Sequence, residues 1–289
     1  MQAFSINGTL CSAVNATVSV MDHGLLYGDG VFEEFRFYNH NIFKVLEHLQ
    51  RLQQSAAAIS LHIPMHTDEL LSALNEAVTA AEIADGYIRL LVTRGTGSLG
   101  VDPAKCKQPQ VIIIVDELSM VDEQVLVEGA SLIISSVRRL MPDQLDPRIK
   151  NLNYMNQVMA RLEANFAGAD EAIMLNQQGR VAEGTADNVF LIKDECVLTP
   201  PSSEGPLAGI TRSTILDCAR DIGIAVQEIP ISPYDLYTAD ECFLSGTGAE
   251  LIPVKEISGR RMKTVRGPVF IQLLNAYRCM TRGSQTHTC

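Results

Sequence analysis

From Val31 to Tyr38 the side chains alternate, with Phe32, Glu34, Arg36 and Tyr38 on one face and Glu33, Phe35 and Phe37 on the other. Period two predicts a strand. From Lys44 to Ile59 the period lengthens: Val45, Leu49, Leu52, Ala56 and Ile59 recur at three- and four-residue steps, which predicts an amphipathic helix. Beyond Pro64, Thr67-Asp68-Glu69 opens a second helix to about Ile83, its acids suited to the positive end of the dipole. Tyr87 to Arg94 and Gln110 to Asp116 read as strands on either side of a Gly-rich loop, Gly95 to Pro103.

The acidic stretch from Asp116 to Glu128 predicts a linker, which divides the chain into a small N-terminal α+β domain over residues 1–120 and a larger domain over 121–289. In the second part Ala130 to Val137, Glu171 to Leu175, Val189 to Ile192 and Cys196 to Leu198 read as strands, and Asn151 to Ala167 as a helix. After a breaker-rich loop from Pro200 to Gly209, Thr211 to Ile222 is a helix closed by Gly223. Strands near Val226, Glu241 and Val254 follow, then a last helix from about Pro268. Helices and strands mix without regular βαβ alternation, so the predicted class is α+β rather than a doubly wound sheet.

Composition narrows the function. The chain has 289 residues, is 46% hydrophobic and 20% charged, and carries a net charge of −11 with no basic block. That balance disfavours nucleic acid and anionic membranes as partners, because both reward clustered Lys and Arg. Small anionic substrates stay open, since a few placed arginines override the overall field. The first basic residue is Arg36 and the longest clean aliphatic run is Val111 to Val115, so neither a signal peptide nor a membrane span is expected. Seven cysteines without CxxC or zinc-ligand spacing predict no metal and reduced thiols in a cytoplasmic protein.

Three segments could carry chemistry. Lys150 falls between a loop and the predicted start of the helix at Asn151, where the dipole opposes an ammonium and favours the free amine that a nucleophile needs. An exposed loop lysine fits the same context. Glu183 ends an apolar strand and is followed by small residues, which would let a ring approach a carboxylate that could keep a pyridine nitrogen protonated. A turn acid facing water is the plainer alternative. Gly209-Ile210-Thr211-Arg212 sets a helix start behind a Pro/Gly loop, a plausible phosphate seat or a simple cap. Ser245-Gly246-Thr247-Gly248-Ala249-Glu250 offers a similar cluster of backbone donors, and no GxxxxGK[ST] loop is present.

In order, Asp22-His23-Gly24, Tyr27 to Glu33, Glu47 to Leu52 with Ser55-Ala56, Tyr87-Ile88-Arg89, Lys150 to Tyr154, Val181 to Gly184 with Asn188, Gly209 to Arg212, and Ser245 to Glu250 with Pro253-Val254 form one pattern. From about Val18 to Tyr277 the chain resembles the two-domain, fold-type IV enzymes that use pyridoxal 5′-phosphate (PLP), and among them the branched-chain amino acid aminotransferases. The resemblance implies that Lys150 holds PLP as a Schiff base and then moves the proton between the substrate Cα and C4′ of the cofactor. It implies that Glu183 pairs with the pyridine nitrogen, that Tyr154 contacts the phenolic oxygen, and that Arg51, Ile210, Thr211 and Thr247 bind the phosphate. For the substrate it implies that Tyr87 and the amides of Thr247 and Gly248 take the α-carboxylate. Tyr27, Phe32 and Tyr154 would line the side-chain pocket, and Leu99 and Val101 would reach in from a second subunit of a homodimer. Arg89, with Arg36, would receive the distal carboxylate of glutamate. The implied activity is ping-pong transfer of the amino group of leucine, isoleucine or valine to 2-oxoglutarate.

Sister activities on the same fold are D-amino acid or broad-specificity amine transamination and aminodeoxychorismate lysis. The D-enzymes place an Arg-x-His pair in the loop after the Tyr87 strand, and Ser98-Leu99-Gly100-Val101 has neither residue. The lyases depart from the Ser-Gly-Thr-Gly turn kept here. One departure from the branched-chain pattern stands out: Gly usually follows the Phe-Glu of the first long strand, and this chain has Glu34. Sharing a face with Arg36, it could neutralise that residue or fill space meant for substrate.

Overall fold

In the computed structural model, which describes residues 2–117 and 121–282, the chain forms two compact units. The first is Met1–Leu118 with Ile149–Asn153, the second Ser119–Arg148 with Tyr154–Cys289. The boundary expected at residue 120 lies at 118–120, outside the described residues. A single cut also leaves out the short return of Ile149–Asn153 to the first unit.

The first unit runs β1 (Ala3–Ile6), β2 (Thr9–Cys11), α1 (His23–Tyr27), β3 (Gly30–Tyr38), β4 (Asn41–Ile42), α2 (Val45–Ala58), α3 (Thr67–Ala81), β5 (Gly86–Thr93) and β6 (Gln110–Asp116). Its six strands form one antiparallel sheet in the order β2-β1-β6-β5-β3-β4. One face of that sheet is apolar by strand alternation: Val31, Phe35 and Phe37 join Ile88, Leu90, Val92, Val111, Ile113 and Val115 in a buried cluster. The cluster is completed by Leu49, Leu52 and Ala56 of α2 and by Leu70, Ala73, Leu74, Ala77 and Val78 of α3, spaced as one helical stripe. Full burial of one such Phe or Leu stabilises by about 1.5–3 kcal/mol, and truncating Phe35 to Ala would cost about 3–5 kcal/mol once the cavity is counted. The start of α3 is fixed by Glu69, whose carboxylate accepts from the His66 amide at 2.7 Å.

The return segment pairs with β3. The Phe32 amide donates to the Lys150 carbonyl (2.9 Å), the Leu152 amide donates to the Gly30 carbonyl (3.0 Å), and Val31 and Asn151 form an isolated bridge. Lys150 is therefore held by strand-like pairing. The expected helix at Asn151 begins only at Met155, so the dipole argument for Lys150 does not apply.

The second unit runs α4 (Glu123–Glu128), β7 (Ala130–Arg138), α5 (Pro142–Leu145), α6 (Met155–Phe166), β8 (Glu171–Leu175), β9 (Val181–Glu183), β10 (Asn188–Lys193), β11 (Cys196–Thr199), α7 (Ile210–Asp221), β12 (Val226–Glu228), α8 (Pro233–Thr238), β13 (Glu241–Gly246), β14 (Glu250–Ile257), β15 (Arg260–Arg261) and α9 (Pro268–Arg282). The strands form a mixed sheet in the order β12-β11-β10-β13-β14-β7-β8-β9, with β15 on β14. β7 runs parallel to β8 and β14, β12 runs parallel to β11, and the other pairs are antiparallel. This mixture matches the α+β expectation. Alternation sorts the central strands, with Val189, Leu191, Cys242 and Leu244 in the main core cluster. Phe190 stacks on Phe243, with ring centroids 4.8 Å apart, and Phe243 meets Phe270 of α9 edge-on at 5.6 Å.

Part of the acidic stretch expected to be a linker is structured. Asp122 caps α4 by accepting from the Gln124 amide at 2.9 Å, and Val121, Val125 and Leu126 pack against the core of the second unit. Charge density hid that apolar stripe. Cys11, Cys106, Cys196, Cys218 and Cys242 are free thiols, whereas Cys279 is disulfide-bonded, contrary to the expectation for all seven. Among the described residues no helix is long and apolar enough to cross a membrane.

Candidate active site

The pleat of β3 sends adjacent glutamates to opposite faces. Glu33 points into the packed face and is fully buried. Arg51 grips it with two donors, Nε at 2.6 Å and Nη2 at 2.7 Å, and His48 Nδ1 lies 2.7 Å from the same carboxylate. Burial alone would raise the pKa of this carboxyl. The Arg51 charge and the bonds from Arg51 and His48 overcome it and bring the value from the ordinary 4.5 to about 2. Burial, reinforced by the nearby Arg51 and Lys150 charges, holds His48 below its ordinary value despite Glu33. A neutral imidazole facing a carboxylate must donate, so Nδ1 carries the hydrogen. The fork also fixes the plane of the Arg51 guanidinium.

Glu34 turns to the other face, directly opposite Arg89 in the β3–β5 register. Tyr87 Oη and Arg89 Nη2 both donate to its Oε1. Lys150 Nζ lies 3.1 Å from its Oε2. Burial works against ionisation here too, and the Lys150 and Arg89 charges with the Tyr87 hydroxyl reverse it, holding Glu34 at about 2. Burial, then the Glu34 charge, pushes the Tyr87 phenol well above its ordinary range, so it stays a donor. Phe32 forms the apolar wall of this group, with its ring centroid 4.3 Å from Lys150 Nζ and 5.3 Å from Arg89 Cζ. Lys150 is buried at 6% exposure, and its amide donates to Ser55 Oγ at 3.1 Å. It is no exposed loop lysine.

The first unit thus gathers Phe32, Tyr87, Arg89 and Lys150 around Glu34. The pairing expected between Glu34 and Arg36 does not form; the Arg36 guanidinium lies over the Tyr38 ring at 5.0 Å. Cross-strand register decides this, because the residue directly opposite is nearer than the next residue along the same face. Tyr27 Oη accepts from the Gly100 amide at 2.8 Å and ties the Gly-rich loop to α1. Leu99 and Val101 on that loop are 74% and 79% exposed.

In the second unit Glu183 is buried at the end of β9. Arg139 Nε donates to its Oε1 at 2.7 Å and the Leu207 amide to its Oε2 at 2.8 Å. Sequence reasoning missed both Arg139, which follows β7, and Leu207. Nothing local distinguishes Arg139 from Arg138 beside it. The first turn of α7 has no side-chain cap at Gly209, and Thr211 within it is buried. A Cβ on Gly209 would lie 2.0 Å from Asn188 Oδ1, so glycine alone lets the start of α7 rest there. Gly246 opens the turn to β14, where a Cβ would push aside only the end of the Asp187 side chain. Thr247 and the buried Gly248 complete that turn. Ile210 and Tyr154 are half-buried at the starts of α7 and α6.

Taken by itself, the first unit offers a buried amine beside carboxylate-binding donors, and the second offers a buried, doubly held carboxylate and two runs of backbone N–H groups. Solved structures share the overall fold. The family model for amino-transferase class IV matches residues 30–257. A Methanocaldococcus jannaschii protein, provisionally named a branched-chain-amino-acid aminotransferase, is 45% identical over 255 residues and covers 88% of each chain. The crystal structure of the branched-chain amino acid aminotransferase of Escherichia coli superposes with a TM-score of 0.94 at 33% identity, covering 97% of this chain and 95% of that one. The branched-chain aminotransferase of the thermophilic archaeon Thermoproteus uzoniensis, crystallised with norvaline, gives 0.91 at 34% identity, covering 98% and 96%. With most of its length matched by the family model and by these relatives, the chain belongs to the class IV aminotransferases.

Proposed function

We propose that the chain is a PLP-dependent aminotransferase that moves the amino group of branched-chain L-amino acids to a 2-oxo acid such as 2-oxoglutarate. The observation that carries this reading is Lys150: a buried amine beside the Phe32 ring, on a face whose Tyr87 and Arg89 are donors for carboxylates. The residues fit the cofactor. The α7 start carries no side-chain cap, so its first amides suit a phosphate, and Glu183 is a buried acceptor oriented by Arg139 and Leu207. Bound PLP supplies an electron sink that weakens the bonds at the substrate Cα.

In this reading Lys150 holds the cofactor and then moves the proton between Cα and C4′. Glu183 keeps the pyridine nitrogen protonated. Ile210, Thr211 and Thr247 seat the phosphate, with Arg51 held ready by Glu33, and Tyr154 meets the phenolic oxygen. Tyr87 with the Thr247 and Gly248 amides receives the α-carboxylate. Phe32, Tyr27 and Tyr154 line an apolar pocket, and Arg89 with Arg36 serves a distal carboxylate. The exposed Leu99 and Val101 are read as reaching the pocket of a second copy, which makes the working form a cytoplasmic homodimer or a higher assembly of dimers.

The test is a half-reaction on the purified protein, following the near-visible absorbance of bound PLP as L-leucine, L-glutamate, D-alanine or an aminodeoxychorismate-type amine is added singly. L-leucine is expected to bleach the band. Bleaching by D-alanine or the amine with L-leucine inert would overturn the branched-chain assignment.

A further inference from the structure

We propose that Glu34 is a specificity-determining residue, a resident carboxylate that occupies the Tyr87–Arg89 grip and that an incoming ligand carboxylate must displace. The pocket consequently disfavours dicarboxylic substrates relative to monocarboxylic ones with apolar side chains, provided that the site has the aminotransferase role proposed above.

Three groups converge on this one side chain. A single oxygen, Oε1, takes both the Tyr87 hydroxyl and Arg89 Nη2, while Oε2 faces Lys150 Nζ at 3.1 Å. Glu34 and Arg89 are directly opposed across β3 and β5, so their pairing needs no loop movement. A second carboxylate brought to Arg89 meets a like charge, and two carboxylates in one site do not both stay ionised at low cost. Protonating Glu34 is no easy escape, because the Arg89 charge and the Tyr87 hydroxyl favour its ionised form whether or not Lys150 is engaged by the cofactor. An apolar side chain meets the Phe32 ring and makes no claim on Arg89. The α-carboxylate has the Thr247 and Gly248 amides assigned to it besides Tyr87, whereas of the Arg89 and Arg36 pair assigned to a distal carboxylate Arg89 is already taken by Glu34, so the distal group bears the larger penalty.

Two unreactive acids, glutarate and 4-methylpentanoate, isolate binding from turnover. Each is titrated calorimetrically into the holoenzyme of the wild type, Glu34→Gly and Glu34→Gln, with cofactor absorbance and circular dichroism confirming that each form is loaded and folded. The wild type is expected to bind 4-methylpentanoate more tightly than glutarate. Both variants should bind glutarate at least about tenfold better, the size of one regained charge-assisted hydrogen bond, with less than about threefold change for 4-methylpentanoate. Unchanged or weaker glutarate binding by loaded variants would overturn the inference. So would a gain in Glu34→Gly with none in Glu34→Gln, which would trace the effect to bulk. If the wild type bound neither acid and did not react with L-leucine, the functional reading itself would fall, and the inference with it.

Discussion

The two faces of β3 put the same side chain to different uses. Glu33 and Glu34 are consecutive, and charged neighbours hold both at about 2. Yet the Glu33 side chain is 0% exposed, locked by Arg51 and His48, whereas Glu34 is 21% exposed and bound by Arg89, itself 40% exposed. A carboxylate sealed on all sides can only orient its partners. Glu34 has one partner, Arg89, within reach of water, and competes for it with whatever enters. Acidity does not distinguish these roles; the accessibility of the carboxylate and of Arg89 does.

The comparison breaks most visibly at Lys150. On the proposed role of Lys150, Lys150→Ala should lower transamination of L-leucine by at least about 10³-fold, since nucleophile and proton carrier would go together. Its far-UV circular dichroism and unfolding midpoint should stay near wild type. Full activity, or a collapsed fold, would show that the open face is structural after all. Next in size is Glu33→Ala, which leaves Arg51 and His48 without their carboxylate in the packed face and should cost about 3–5 kcal/mol in denaturant unfolding. Glu34→Ala should cost less, about 1–3 kcal/mol, because water replaces the lost partner of half-exposed Arg89 and only buried Lys150 is left without its carboxylate. Equal losses from the two substitutions would erase the distinction between the faces.

Much of the fold is legible in the sequence where periodicity is strong. The β3 alternation, the stripe from Leu49 to Ala56, and the Gly209 and Gly246 segments all lie where the residues place them. What escapes depends on pairing between distant segments. The strand-like hold on Lys150 arises from Gly30 and Phe32, more than a hundred positions away, and no local pattern separates it from a helix start. Alternation matches Glu34 to Arg36 because it reveals a face, whereas register with a second strand fixes the partner. Arg139 reaches Glu183 across 44 positions, and its role is visible only once β7, β8 and β9 are adjacent. Helix α4 is masked by its acids, although Asp122 two residues ahead of Gln124 is a readable cap.

The pH dependence of stability is the most discriminating readout. Glu33 is more acidic in the folded chain than its ordinary 4.5, so its contribution to stability is complete above that value. It declines as pH falls below 4.5 and is gone once pH has passed the folded value of about 2. The shift corresponds to something on the order of 3 kcal/mol across that window. Replacing Glu33 by Gln should remove this part of the acid limb, so that wild type and variant converge in stability as pH approaches 2. Glu34→Gln should flatten the same window less, because solvent reaches its site and screens the Lys150 and Arg89 charges. Unfolding midpoints of the three forms at stepped pH measure both slopes together. A steeper loss of pH dependence in Glu34→Gln than in Glu33→Gln would mean that the open face anchors the sheet more firmly than the packed one, reversing the assignment of the two glutamates.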